Sequence, residues 1–155
     1  MEAKARGARK GRALTEGDFW PLLVEFALSQ RAWWIDLCAQ LDLTAMQGHA
    51  LRTLDPERPV AMSTLADALV CDASNVTGIV DKLELRGLIA RQGADHDRRI
   101  KMLAVTDKGR KLREQLCARV LEPPASVAAL SADARRRLAE VLRAIVVERG
   151  AEAER

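Results

Sequence analysis

The sequence is poor in aromatic residues and has no long apolar segment. It contains no tyrosine, and phenylalanine and tryptophan make up only 3% of its 155 residues. No uncharged apolar run approaches the roughly 18 residues that a membrane-spanning helix requires. The N-terminus is basic, but it lacks the apolar segment of a secretory signal. From these absences we expect a cytoplasmic protein that has no membrane partner.

Cysteine and histidine are too few and too scattered to indicate a metal site. Cys38, Cys71 and Cys117 show no CxxC spacing, and His49 and His96 lie far apart. The sequence also lacks a Ser/His/Asp set, a glycine-rich phosphate-binding loop and a clustered pair of carboxylates in a plausible cleft. We therefore expect no metal, no cofactor and no enzymatic activity.

The net charge of +3 is small, and its distribution is more informative than its size. Residues 1–12 carry five basic residues and one acidic residue, so we predict that residues 1–14 form a disordered basic arm. Residues 61–109 hold seven basic and seven acidic residues. The bulk charge of this segment does not indicate a nucleic-acid partner, so any such interpretation depends on where the basic side chains lie.

Three long segments show the apolar spacing of amphipathic helices. Apolar residues recur every three to four positions across residues 18–41, 107–121 and 132–148. Their combined apolar surface exceeds what one small core can cover, and exposing it costs about 25 cal/mol per Å². We therefore predict a homodimer whose first and last helices interlock, with residues 15–60 and 107–150 as a helical dimerisation region.

Capping residues divide the middle of the chain into shorter helices. Thr44 and Gln47 have the spacing of a capping box, which predicts a helix beginning after Thr44. Ser63 and Asp72 are predicted to cap the two helices of a helix-turn-helix, and Gly87 is predicted to end the second. Two short segments, Leu88 to Gln92 and Lys101 to Val105, lie on either side of a Gly-Ala-Asp-His-Asp turn region and predict a β-hairpin.

Residues 61–106 are therefore predicted to form a winged helix-turn-helix DNA-binding domain. Thr106 and Ser131 are predicted to cap the two helices that follow it. The predicted fold class is mainly α with a small β-hairpin wing, flanked by N- and C-terminal dimerisation helices. This architecture places one helix in the major groove of DNA and the wing at a neighbouring groove.

The second helix of this motif carries small polar residues opposite its apolar stripe. A merely solvated helix would carry more Glu, Lys and Arg, so the composition favours DNA recognition. Asparagine suits adenine, lysine suits guanine or phosphate, and Gly78 permits close approach. Arg98 and Arg99 at the hairpin tip suit a narrow minor groove, whereas Asp67 and Glu84 are interpreted as ordinary surface charges. The predicted DNA-binding residues are Ser74, Asn75, Thr77, Gly78, Asp81, Lys82, Arg91, Arg98, Arg99 and Lys101.

Five stretches of the sequence are specific in combination. They are Leu43-Thr-Ala-Met-Gln47, Leu65-Ala-Asp-Ala-Leu69, Asn75 to Leu88, Asp95-His-Asp-Arg-Arg99 and Val105-Thr-Asp-Lys-Gly109. Through them the chain resembles the MarR family of bacterial transcriptional regulators, from about residue 15 to its end. The resemblance implies four helices, a wing and two further helices, an obligate dimer, and repression relieved by a small ligand or by oxidation. A two-fold dimer implies double-stranded DNA with an inverted-repeat operator as its partner.

The resemblance also implies an effector pocket between the dimerisation helices and the winged domain. Two adjacent tryptophans cannot both face one helix stripe, so either one lines a cavity or a partner surface, or both are packing residues. The candidate ligand-binding residues are Trp33, Trp34, Asp36, Gln47 and His49. The first functional prediction is a repressor that an anionic or aromatic small molecule releases from its operator.

Two alternative functions stay open from the sequence. In a redox-sensing regulator, cysteine oxidation would be the switch. Cys71 lies just before a helix N-terminus, which lowers a thiol pKa, and beside Asp72, which raises it. The other alternative is a winged-helix protein-interaction module that binds no DNA. Salt-dependent DNA binding would separate this module from a DNA-binding regulator.

Overall fold

The computed structural model describes residues 15–93 and 101–153, most of them helical. After a 3-10 turn at Glu16–Asp18, the elements are α1 (Phe19–Ala39), α2 (Ala45–Thr53), β1 (Val60–Ala61), α3 (Met62–Leu69), α4 (Ala73–Leu85), β2 (Ile89–Gly93), β3 (Lys101–Val105), α5 (Asp107–Leu121), α6 (Ala125–Ala128) and α7 (Ala132–Ala153). The predicted fold class is confirmed. The predicted basic arm and the hairpin tip lie outside the described residues.

The strands form one antiparallel sheet in the order β1-β3-β2. In the predicted hairpin, Ile89 pairs with Val105 and Gly93 pairs with Lys101. The third strand was not predicted, because β1 has only two residues and shows no periodicity of its own. Its pairing of Val60 with Leu103 is a tertiary contact that fixes the start of the helix-turn-helix against the wing.

Polar caps start α2, α5 and α7, as the sequence predicts. The Thr44 side chain accepts from the backbone N–H of Gln47 at 3.3 Å, and the Gln47 side chain accepts from Thr44 at 2.8 Å. Thr106 accepts from the backbone of α5 at 3.0 Å, and Ser131 accepts from that of α7 at 3.2 Å. These bonds satisfy backbone donors that have no partner inside the helix.

The predicted cap of α3 is wrong. Ser63 lies inside the helix, and the N-cap position is Ala61, which makes no side-chain cap bond. Pairing of β1 with β3 keeps the backbone extended through Ala61 and sets the start of α3 instead. At the other end of α3, Val70 adopts the left-handed conformation with φ 50°, which costs a β-branched residue about 1–2 kcal/mol.

A tight turn joins α4 to β2. Gly87 has φ +68°, its N–H donates to Glu84 O at 2.8 Å, and the N–H of Leu88 donates to Leu83 O at 3.0 Å. This bond pattern is a Schellman motif, and it confirms Gly87 as the residue that ends the helix. The turn brings the wing strand back alongside α4 within a few residues.

The core lies between the helix-turn-helix, the sheet, the second half of α1, α2 and α5. Its largest fully buried side chains are Leu37, Leu51, Leu54, Leu65, Leu83, Leu88, Ile89, Leu103, Leu116, Val76, Val80 and Cys38. These residues come from almost every element of residues 34–116, so α4 is held by packing on its apolar side.

The terminal helices lie largely outside this core. Exposed large apolar side chains on them include Phe19, Trp20, Leu22, Phe26, Leu28, Leu138, Val141, Leu142 and Ile145. None of the described side chains of α7, from Ala132 to Ile145, is buried. The helix continues to Ala153, past its predicted end at residue 148, and the short α6 before it was not predicted. Among the described helices, none has the length and apolar content needed to cross a membrane.

Candidate nucleic-acid interface

Helix α4 has one buried face and one exposed face. Val76, Val80 and Leu83 are fully buried against the core. The predicted recognition residues lie on the other side, where Ser74, Asn75, Thr77, Gly78, Asp81 and Lys82 are all exposed. The fold therefore gathers these six predicted residues onto one accessible helical surface, which we call the α4 face.

Asp72 organises the start of the α4 face. Its carboxylate accepts from the backbone N–H of Asn75 at 2.9 Å, from the Ser74 hydroxyl at 2.7 Å and from Asn75 Nδ2 at 3.2 Å. These bonds, with the backbone bond from Asn75 first, hold the pKa of Asp72 below its ordinary value. Ser74 and Asn75 are thus oriented by an ionised cap, and the Asn75 carbonyl oxygen keeps its capacity to accept.

The middle of the α4 face carries the small residues Thr77 and Gly78. The Thr77 hydroxyl donates to Ala73 O at 2.8 Å, which leaves its oxygen as an acceptor. A Cβ built on Gly78 would meet no atom within 4 Å. An interior helical glycine costs about 1 kcal/mol of stability relative to alanine. No packing contact within the described residues explains why glycine rather than alanine stands at this position. Lys82 follows one turn later, exposed and without an ion pair among the described residues.

Arg91 is bound to α4. Its Nη2 lies 2.5 Å from Asp81 Oδ1, its Nη1 donates to Glu84 Oε2, and its backbone N–H donates to Glu84 Oε1 at 3.0 Å. The bond to Asp81 is the largest cause of the raised pKa of Arg91. The interpretation of Glu84 as an ordinary surface charge is wrong, because Glu84 holds the wing strand to α4. We name Asp81, Glu84 and Arg91 the Arg91 cluster.

The remaining wing candidates are only partly described. Lys101 is exposed at the first position of β3 and pairs with Gly93 in the sheet. Arg98 and Arg99 lie outside the described residues. Their predicted contacts therefore stay predictions from the sequence.

The five candidate effector residues do not form one site. Trp34 is buried, its Nε1 donates to Ala45 O at 3.2 Å, and its ring packs on His49 with centroids 4.5 Å apart. The Arg52 guanidinium lies 5.6 Å from the Trp34 ring centroid. Burial first, and the charge of Arg52 second, lower the pKa of His49. Trp33 is half-buried and packs against the same core.

A groove of about 460 Å³ separates α2 from α4. It is lined by Thr44, Met46, Gln47, Cys71, Ser74, Asn75, Gly78, Ile79 and Lys82. Of the five effector candidates, only Gln47 lines it, and its side chain already completes the cap of α2. Asp36 lies apart on the exposed side of α1. Sequence reasoning missed the groove because its walls come from two helices whose separation the sequence does not reveal.

The cysteines offer little reactive surface. Cys38 is fully buried, and burial raises the pKa of its thiol, which argues against Cys38 as a redox sensor. Cys71 is half-buried at the end of the groove. Among the described side chains, no group of three His, Cys, Asp or Glu residues is placed to hold a metal ion.

Comparison with curated proteins finds bacterial transcriptional regulators. The model of the MarR family matches residues 43–101. The uncharacterized HTH-type transcriptional regulator YfiV of Bacillus subtilis is 26% identical over 97 residues, 63% of this chain and 61% of YfiV. The transcriptional repressor MprA of Escherichia coli is 43% identical over 70 residues, 43% of this chain and 40% of MprA. The matches therefore span less than two thirds of the length of either relative.

Solved structures share the fold over a longer range. A mutant of MepR from S. aureus superposes with a TM-score of 0.73 at 22% identity, over 87% of this chain and 98% of that chain. A mutant MarR from E. coli gives a TM-score of 0.73 at 20% identity, over 88% and 99%. A MepR mutant bound to an oligodeoxyribonucleotide gives 0.61 at 22% identity, over 87% and 99%. The chain is therefore similar to the MarR family of transcriptional regulators over residues 43–101, which include α2 and the helix-turn-helix, and it shares the fold of the solved structures over most of its length.

Proposed function

We propose that this protein binds double-stranded DNA by placing the α4 face in the major groove. The observation that carries the proposal is the open surface at Gly78, which has small polar neighbours on an otherwise well-packed helix. Such a surface lets the helix approach base edges closely, while Lys82 supplies a positive charge. The oligonucleotide bound to the MepR mutant of similar fold supports this use of the fold.

The second part of the proposal is a homodimer on an inverted-repeat operator. The apolar surfaces of α1 and α7 support it, because they expose large side chains such as Trp20 at 65% and Leu142 at 43%. A second copy that covers them presents two α4 faces about one helical turn of DNA apart. In this proposal residues 61–106 bind DNA, and residues 15–60 and 107–150 dimerise.

The third part concerns regulation. We propose a repressor that leaves its operator when a small anionic or aromatic molecule binds, in keeping with the name of its relative MprA. Gln47 is the effector candidate with the best support, because it lines the groove beside Asn75 and Lys82. A molecule bound in that groove would occupy the same surface as DNA.

Selection of fragments from the source genome, followed by fluorescence anisotropy, tests the proposal. We expect one preferred inverted repeat, with affinity that falls steeply as salt rises. Lys82→Ala should weaken binding to every sequence and, because the proposed dimer carries two copies of Lys82, reduce the slope of log K against log salt by about 1.8. Asp67→Ala, on an exposed site of α3, is the control. A folded protein that prefers no fragment at any salt concentration would instead favour the protein-interaction module.

A further inference from the structure

Two acidic residues lie on the helix that we propose enters DNA. Asp81 and Glu84 are three residues apart on α4, so both lie on one side of the helix. Carboxylates beside phosphates are repelled, and neither residue suits a DNA-facing helix by charge alone. Their role must therefore be sought inside the protein, where both contact Arg91 of β2.

Glu84 makes the more extensive of the two contacts. One of its oxygens accepts from the Arg91 guanidinium, and the other accepts from the Arg91 backbone N–H at 3.0 Å. In the order β1-β3-β2, strand β2 pairs with β3 on one side and has no neighbouring strand on the other. Glu84 supplies the acceptor for the Arg91 N–H in place of such a strand. Glu84 thus covers the open edge of β2 and binds both the backbone and the side chain of Arg91.

Asp81 completes the cluster from almost one helical turn before Glu84. The Arg91 side chain is 23% exposed, against 57% for Asp81 and 37% for Glu84, so the guanidinium is the best-shielded group. A guanidinium is a rigid planar fork, and two of its nitrogens are bound to carboxylates on one helix face. The strand that leads into the wing is thereby fixed in distance and rotation relative to α4.

We propose that Arg91 is a positioning residue for DNA recognition, which locks the wing strand to α4 so that both reach the DNA as one rigid body. The inference rests on the proposed function. It replaces the sequence-based expectation that Arg91 contacts phosphate, because its guanidinium is occupied by two carboxylates. Loss of the cluster removes the side-chain contacts that fix the wing strand against α4, and DNA binding must then restore that arrangement.

The test depends on the sign of a change in affinity. By simple electrostatics, removing two carboxylates near DNA strengthens binding. The positioning role predicts the reverse, so the double variant Asp81→Asn/Glu84→Gln should bind the selected fragment at least about fivefold more weakly. Stoichiometric titration gives the active fraction, so partial unfolding is not counted as weaker affinity. Equal or tighter binding by the double variant would overturn the proposal.

A charge swap gives a second, independent readout. Arg91→Glu should bind poorly, and Arg91→Glu/Glu84→Arg should regain part of the affinity, because the two side chains can pair again with reversed charges although the new arginine cannot accept from the backbone N–H of residue 91. If Arg91 contacts phosphate, the swap stays as weak as Arg91→Glu alone, and the proposal is wrong. Failure of the proposed function has a different result, because wild-type protein would then be folded and bind no selected fragment.

Discussion

At the scale of single residues, close packing explains some glycines of this protein and does not explain Gly78. A Cβ at Gly48 would lie 2.5 Å from the Cys38 sulfur, and one at Gly109 would lie 1.9 Å from the Leu88 carbonyl oxygen. Close packing therefore accounts for both. Gly78 has no such neighbour, which agrees with the proposed close approach of DNA to α4.

Gly78→Ala should stabilise the fold and weaken DNA binding at once. Alanine is the better helix former by about 0.5–1 kcal/mol, and the site has room for its methyl group. The same methyl group would hold α4 away from DNA. Urea unfolding measures the first effect and anisotropy the second. A stabilised variant with unchanged affinity would show that nothing approaches closely at this position.

His49 should make stability depend on pH. Its pKa is lowered from the ordinary 6.5 by burial and by Arg52, so the folded state disfavours protonation. The contribution of neutral His49 to the free energy of unfolding is fully present above about pH 6.5, and it is lost as the pH falls through the lowered pKa of the folded state. The variant His49→Phe, which keeps a ring against Trp34, should lose this part of the pH dependence in urea unfolding between pH 7 and 5. Parallel curves for the two proteins would contradict the assignment.

The role of a side chain could be predicted where it depends on its position on a single helix. It could not be predicted where it depends on contacts between two elements. The exposed α4 face follows from helical spacing alone. The partners of Arg91 come from a turn that folds β2 back onto α4, and no spacing rule indicates them. Likewise the choice between Trp33 and Trp34 as the more buried ring depends on α2, whose Ala45 accepts the Trp34 N–H.

At the scale of elements, one junction joins the end of α4 to the start of α5. The Thr106 hydroxyl donates to Gly87 O at 2.7 Å, and its N–H donates to Leu88 O at 3.1 Å. Lys108 Nζ donates to Arg86 O at 2.8 Å. The start of α5 therefore binds the end of α4 and the turn that follows it.

Gly109→Ala should damage this junction. Its methyl group would overlap a backbone carbonyl that cannot move without breaking the turn after α4. We expect a loss of about 3 kcal/mol in the free energy of unfolding, measured by urea denaturation. Gly78→Ala is the matched control, because the same substitution there meets no atom. Similar stability of Gly109→Ala and wild type would mean that the turn is more adaptable than the packing indicates.

Long elements could be predicted from the sequence, and short ones could not. The 3.6-residue periodicity and the caps Thr44, Asp72 and Thr106 placed α2, α4 and α5 correctly. Strand β1 and helix α6 have two and four residues, so neither shows a period. Ser63 was misread because a cap preference is local, whereas pairing of β1 with β3 decides where α3 begins.

At the scale of the whole molecule, the chain divides into a packed body and two protruding apolar surfaces. Trp34, Leu37 and Cys38 anchor the second half of α1 in the core, whereas the first half exposes its large side chains. Helix α7 exposes Leu142 and Ile145 on one stripe. Exposed apolar surface of this extent is a common mark of association, which supports the proposed homodimer.

Leu142→Asp should convert the proposed dimer into monomers. The substitution would bury an unpaired charge in the apolar contact, which is costly enough to break most interfaces. Analytical ultracentrifugation measures the change in mass. Arg136→Asp is the control, because helical spacing places Arg136 opposite the apolar stripe. A Leu142→Asp protein that stays dimeric would assign the interface to other elements.

Methylation protection of guanine N7 tests the central claim most directly, because this atom lies in the major groove. We predict that wild-type protein protects guanines in two half-sites about 10 base pairs apart, and that Gly78→Ala weakens this protection. Binding of the fragment with unchanged N7 reactivity would contradict the account, since it would mean that α4 does not enter the major groove.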